Sequence, residues 1–110
     1  MTRKAAILAW ALAGSTVLSL PAAAICFEPV GCSNTKRYNN RDLRKLNCGE
    51  LWFVRNAILD DHNYCFKTEK GISAFGNDGC AFHDIADLDL NGFEQFNLKA
   101  LSRMEQIKGC

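Results

Sequence analysis

The sequence predicts a mainly α protein: a small three-helix disulfide-stapled single domain with an irregular N-terminal arm. Three observations lead there. Six cysteines (Cys26, Cys32, Cys48, Cys65, Cys80, Cys110) stand in a chain of 110 residues. Two helix-start signatures, Asn47 with Glu50 and Asn91 with Glu94, each open a run of apolar residues at helical spacing. No segment alternates polar and apolar residues as a half-buried strand does.

The N-terminus sets the compartment. Arg3 and Lys4 precede an apolar run from Ala5 to Leu20, followed by Pro21 and Ala22-Ala23-Ala24. A basic start, a short apolar stretch and an Ala-x-Ala end read as a secretory signal peptide over residues 1–24, cleaved after Ala24. The apolar run is shorter than the roughly 20 residues that span a bilayer. The mature protein is therefore expected to be periplasmic or secreted, with no membrane insertion after cleavage. Removing the first 24 of 110 residues leaves 86, with 11 basic residues against 12 acidic ones. Near neutrality gives no electrostatic reason to bind nucleic acid. The basic residues gather early (Lys36, Arg37, Arg41, Arg44, Lys45) and the acids late (Asp78, Asp84, Asp87, Asp89, Glu94).

An even cysteine count in a short exported chain implies disulfides. Zinc is the competing explanation, but no Cys-x-x-Cys pair is present. A domain this small buries only about 60% of its unfolded surface, so covalent ties matter.

The elements follow in order. Residues 25–40 hold Pro29, Gly31, Ser33, Asn34, Asn39 and Asn40 with little apolar periodicity, and form the arm. The helical domain proper is expected over 41–110. A helical turn over Arg41–Leu46 presents Leu43 and Leu46. Asn47 caps the main helix, in which Leu51, Trp52, Val54, Ile58 and Leu59 spread over one broad arc. Arg55 and His62 fall near the middle of that arc, and Asn63 suits the left-handed position that ends a helix. Thr68 caps a short second helix carrying Ile72, Ala74 and Phe75, stopped by Gly76-Asn77. Asn91 opens the last helix, where Phe93, Phe96, Ala100, Met104 and Ile107 recur with Leu101 beside them, and Gly109 ends it. Most of the aromatics (Trp52, Phe53, Tyr64, Phe66, Phe75, Phe82, Phe93, Phe96) are expected in the core. Phe53 points off the main arc, either under the arm or into solvent. Six cysteines allow 15 connectivities, and the expected one has Cys48 meeting Cys110 if the main and last helices pack antiparallel. Cys26–Cys32 then closes a loop in the arm, and Cys65–Cys80 ties off the short helix.

Candidate chemistry is sparse. An arginine on an apolar arc must pair or reach water, and the Arg55 fork suits loop carbonyls or one carboxylate. With Asn56 it is expected to hold the 65–80 loop against the helix. The alternative is that it presents its donors to an anionic ligand. His62 is expected to be a structural hydrogen-bonding residue, since a general base needs an orienting acid and a nucleophile in reach. His83 is the only other histidine. Glycoside hydrolysis needs two carboxylates about 5 to 9.5 Å apart. Glu50 is committed to a cap and Asp60 and Asp61 diverge, so no pair fits. Asp87-Leu88-Asp89-Leu90-Asn91-Gly92 matches the opening half of an EF-hand loop, making Asp87, Asp89 and Asn91 a candidate calcium site. Leu98 stands where the closing glutamate belongs, leaving Glu94 to complete a shortened site; the bland reading is an acidic lead-in to a helix. No other cofactor is implied.

The order Arg55-Asn56-x-Ile58, then His62, Tyr64 and Phe66, with Phe75 at a later aromatic position, resembles the YARHG domain, a small module of exported bacterial proteins. The likeness covers residues 43–76. Leu59, Asp60 and Asp61 stand where the name motif has Tyr-Ala-Arg, and Asn63 replaces its glycine. Gly76-Asn77-Asp78-Gly79-Cys80 replaces a Trp-Tyr pair, and the added cysteines mark a cysteine-rich variant. The resemblance implies an extracellular, cell-wall-associated module. A non-catalytic, monomeric binding protein is expected, its partner an envelope polymer such as peptidoglycan or an envelope protein. Arg55, Asn56, Phe53, His62 and Tyr64 are the candidate ligand-binding residues.

Overall fold

The computed structural model describes residues 25–110. The expected signal peptide and its cleavage at Ala24 lie outside the described residues. The elements are β1 (Cys26–Phe27), β2 (Gly31–Cys32), α1 (Asn40–Leu43), α2 (Cys48–Asp61), α3 (Glu69–Phe75), a 3-10 turn (Ile85–Asp87) and α4 (Gly92–Ile107). Three helices of seven residues or more pack around two adjoining apolar clusters, and α2 against α4 is the main contact.

Side-chain chemistry places each helix boundary. Asn47 accepts from the Glu50 amide (2.8 Å) while Glu50 accepts from the Asn47 amide (2.9 Å), so α2 begins with a complete capping box. His62 closes α2, and Asn63 takes the left-handed backbone (φ 65°) beyond it. The Thr68 hydroxyl accepts from Gly71 N–H (3.0 Å) to start α3, which stops at Gly76. Asn91 and Glu94 repeat the box at α4, which ends at Lys108 with Gly109 left-handed. The early turn starts one residue sooner than expected, at Asn40 under an Asn39 cap, and continues as turns to Leu46.

Disulfides join Cys26–Cys32, Cys48–Cys110 and Cys65–Cys80, the three expected pairs, of which Cys48–Cys110 is the one that antiparallel α2 and α4 bring together. The segment between α3 and α4 is ordered by backbone pairing. Cys65 N–H donates to Phe82 O (2.7 Å), and Asn77 makes two bonds with the Phe66 backbone (2.8 and 3.0 Å). Phe75 lies between Phe66 and Phe53, stacked on both at centroid distances of 5.2 and 5.4 Å, which fastens α3 to α2.

Three expectations need correction. The arm is not wholly irregular: β1 and β2 form a minimal antiparallel hairpin with Cys26 opposite Cys32. Strands of two residues are too short to show alternation, and the disulfide sits on their paired ends. Val30 and Tyr38 of the arm are buried in the core with Leu43, Leu46, Leu51, Val54, Ile58, Leu101 and Met104, and Ser33 is buried beside them. The core therefore begins before residue 41.

The second correction concerns α4. Its buried positions are Glu94, Asn97, Ala100, Leu101 and Met104, whereas Phe93, Phe96 and Ile107 are exposed. The buried face is turned from the apolar stripe because two polar residues occupy it, each with fixed partners. Asn97, fully enclosed, accepts from Tyr38 N–H (2.8 Å) and donates to Ser33 O (2.9 Å) and Lys36 O (2.8 Å). This one side chain sews the arm to α4.

Third, most of the eight aromatics are expected in the core, yet only Phe66 is buried. Several of the rest are capped by cations instead: Arg37 lies over Phe96 (4.8 Å), Lys70 over Trp52 (4.1 Å) and Lys67 over Tyr64 (5.2 Å).

Tyr38 carries a prediction. Its hydroxyl donates to Gly31 O (3.2 Å), and burial pushes its pKa up to about 12, with the Ser33 hydroxyl opposing. An unfolded tyrosine ionises near 10, so above that pH the unfolded chain sheds the proton first. Stability is unaffected below about pH 10 and falls as pH rises through about 12, by roughly 2–3 kcal/mol at most. Tyr38→Phe abolishes this loss. A tyrosinate absorbance titration, wild type minus variant, should place the Tyr38 step near 12; a step near 10 would mean the hydroxyl reaches water. The six cysteines are all paired, so no free thiol starts exchange at high pH.

Candidate functional site

The seam between α2 and α4 carries the chemistry. Cys48–Cys110 closes one end, Arg55 pairs with Glu105 further along, and His62 meets Glu94 towards the other end. Arg55 and His62, the two basic residues that interrupt the apolar arc of α2, each meet a carboxylate of α4.

Arg55 donates from Nε to Glu105 Oε1 (2.5 Å) and from Nη2 to Oε2 (3.1 Å). This corrects the expected role of Arg55 and Asn56 as holders of the 65–80 loop. A two-point, charge-assisted bond outcompetes neutral loop carbonyls once α4 places a carboxylate opposite. Asn56 instead donates to Trp52 O (2.9 Å) one turn back, and Asn77 does the work in the loop.

Beside this pair opens a groove of about 460 Å³. Leu98, Ser102 and Gln106 recur on one face of α4, with Lys99 and Arg103 beside them; Arg55 and Leu59 contribute from α2, and Ile85 of the 3-10 turn closes the far side. Leu59, Leu98 and Ile85 supply apolar walls. Three cations and no acid line it. Glu105 uses two of the five N–H donors of Arg55 and fixes the plane of the guanidinium, while its other donors have no protein partner among the described residues. Lys99, Ser102 and Arg103 escaped the sequence reading, although their three- and four-residue spacing beside Leu98 was a usable signal.

The candidate ligand residues do not form one site. Phe53 precedes Arg55 by two residues, about 200° around the helix, on the opposite side, where it stacks on Phe75 with about half its surface exposed. Asn56 is buried and turned onto its own helix. Tyr64 packs edge-on against Phe66 (5.2 Å), and Lys67 bonds its hydroxyl (3.4 Å) and the His83 carbonyl. Of the five, only Arg55 reaches the groove.

Of the candidate calcium residues Asp87, Asp89 and Asn91, Asn91 is engaged as a helix cap. Asn91 Oδ1 accepts from Glu94 N–H (2.9 Å) and its Nδ2 donates to Asn34 O (3.0 Å). Glu94 gives one oxygen to the cap and the other to His62. Gly92 is the first residue of α4 rather than the sharp turn of a metal loop, and Asp87 and Asp89 face solvent.

A different set of metal donors does converge. One ligand atom from each of Asp61, His62 and Glu94 lies within 4.8 Å of the others, the one such group of His, Cys, Asp or Glu among the described residues. His62 Nε2 is 2.7 Å from Glu94 Oε2, and both side chains are largely buried. Burial raises Asp61 above the usual carboxylate range; His62 opposes the shift, while Glu94 and Asp60 add to it. Burial also raises Asp60.

Three disulfides on a small helical core define a class of stapled domain that folds in an oxidising, extracytoplasmic compartment. No helix among the described residues is long and apolar enough to cross a membrane. The YARHG domain family matches residues 29–106, and the chain belongs to that family. No curated protein and no solved structure matches the chain. The family match is wider than the motif at 43–76: it takes in the buried part of the arm and nearly all of α4, the two pieces that Asn97 joins.

Proposed function

We propose that this protein is a non-catalytic, monomeric binding module of the bacterial cell envelope, periplasmic or secreted, whose groove takes a carboxylate-bearing segment of an envelope polymer, peptidoglycan first. The groove carries the proposal: Arg55, Lys99 and Arg103 surround apolar walls of Leu59, Leu98 and Ile85 with no acid among them. Peptidoglycan stem peptides offer carboxylates beside methyl groups, which matches cations beside an apolar wall. The disulfide-stapled fold, which suits an oxidising compartment, points the same way. Glu94 gives His62 an orienting acid, but no free thiol stands among the described residues to serve as its nucleophile, and the non-catalytic reading rests on that. The near-neutral charge offers no footprint for nucleic acid.

Co-sedimentation of the oxidised protein with purified peptidoglycan, at low and moderate salt, tests this. Wild type should pellet at both salts. Lys99→Glu with Arg103→Glu should lower the pelleted fraction at least tenfold without changing the helical spectrum, because both residues are exposed. Equal pelleting of wild type and double variant would remove the groove from the proposal.

A second reading, a protein-interaction module acting as inhibitor or accessory subunit of an envelope enzyme, draws on another observation. Phe53 and Ile72 remain 48% and 43% exposed on α2 and α3, and an apolar surface of that kind suits a protein partner. Failure of wild type to pellet would favour it.

A further inference from the structure

We propose that Asp61, His62 and Glu94 form a binding site for one divalent transition ion, Zn²⁺ by donor chemistry, where the C-terminus of α2 meets the N-terminus of α4. The three ligand atoms lie within 4.8 Å of one another, with His62 Nε2 and Glu94 Oε2 2.7 Å apart. Tetrahedral zinc with bonds of about 2.0–2.2 Å holds its donors about 3.4 Å apart. The observed separations bracket that value, so side-chain rotations of about an ångström complete the set. One imidazole nitrogen with two carboxylate oxygens, and a position left for water, is a zinc-type donor set; calcium and magnesium favour oxygen alone.

Two independent features point to a cation. α2 ends in Asp60 and Asp61 with no basic residue in its last turn. Acids at the negative pole of a helix destabilise it unless a cation compensates. Among the described residues neither aspartate has a salt-bridge partner, and Asp61 makes no side-chain hydrogen bond, so its carboxylate is uncommitted. Glu94 is already oriented: its Oε1 accepts from Asn91 N–H (2.9 Å), leaving Oε2 aimed at His62. A bonded second oxygen of this kind fixes a metal-binding carboxylate in place. On binding, the ion displaces the proton shared by His62 Nε2 and Glu94 Oε2, and that proton leaves to solvent. Because all the cysteines are in disulfides, no thiolate competes for the ion.

The test is a titration of the oxidised protein with Zn²⁺ alone, read by calorimetry and native mass spectrometry. Asp61→Asn and His62→Gln are the site variants, with exposed His83→Gln as control. One ion per chain is expected, with affinity at least tenfold weaker in Asp61→Asn. His83→Gln should match wild type. Asp61 has no partner to lose, so Asp61→Asn remains informative even if His62→Gln unfolds. Absence of saturable binding at one ion per chain overturns the proposal, as does Asp61→Asn binding as tightly as wild type.

Discussion

Replacing Cys48 and Cys110 together by serine should lower the unfolding free energy by roughly 4 kcal/mol, the largest loss from any of the three disulfides. The bond joins residues 62 apart, against 15 for Cys65–Cys80 and 6 for Cys26–Cys32. In the chain-entropy account the gain grows with the logarithm of the closed loop, giving about 3 and about 2 kcal/mol for the shorter pair. The folded state adds to the contrast. Cys48–Cys110 ties the first residue of α2 to the chain just beyond α4, where Lys108 also donates to Arg44 O (2.6 Å) and Leu46 O (2.5 Å). With the bond gone, the end of α4 frays and those two carbonyls lose their donor. At roughly 4–8 °C per kcal/mol for a domain of this size, the midpoint should fall by about 15–30 °C. Urea unfolding followed by circular dichroism decides the order. A Cys48→Ser, Cys110→Ser protein within about 1 kcal/mol of wild type would mean that the reduced chain already holds its ends together.

What the sequence disclosed followed from local chemistry. Asn47, Thr68 and Asn91 announced three helix starts because a capping side chain and its target amide lie within one turn. Asn63 and Gly109 announced two stops because both residue types tolerate the left-handed backbone that ends a helix. Once α2 and α4 were antiparallel, the Cys48–Cys110 pair followed. The failures were non-local. The α4 stripe was read from Phe93, Phe96 and Ile107, but the face that packs includes Glu94 and Asn97, whose partners lie 32 and about 60 residues away. Periodicity counts apolar residues and cannot credit a buried polar residue with a partner it does not see. Asn91 shows the same limit: its side chain fits an oxygen ligand and a helix cap equally well in the sequence, and in the fold it accepts from the Glu94 amide. Arg55 was recognisable as a residue needing an anion, and Glu105, 50 residues on, emerged only from the packing.

Asn97→Leu should cost the domain roughly 3–5 kcal/mol, although it adds an apolar side chain of similar size to an apolar face. Asn97 is completely buried, and three hydrogen bonds of 2.8–2.9 Å end on it. Leucine would gain about 1–2 kcal/mol of transfer free energy at such a position. It would also leave Tyr38 N–H, Ser33 O and Lys36 O without their partner, and each orphaned buried group costs about 1–3 kcal/mol. The balance favours asparagine, and the loss should be local before it is global. The arm relieves its orphans by lifting off α4 into water, uncovering Val30 and Tyr38, while α2 and α3 keep the Phe53–Phe75–Phe66 stack. Hydrogen exchange should therefore find the Tyr38 and Val30 amides unprotected in the variant and the α2 amides protected. The Tyr38 hydroxyl should then ionise nearer 10 than 12, since burial raised it. Retained protection at Tyr38 with unchanged stability would show that leucine packs without displacing the arm, and that Asn97 sets the register of arm on helix rather than the strength of their contact.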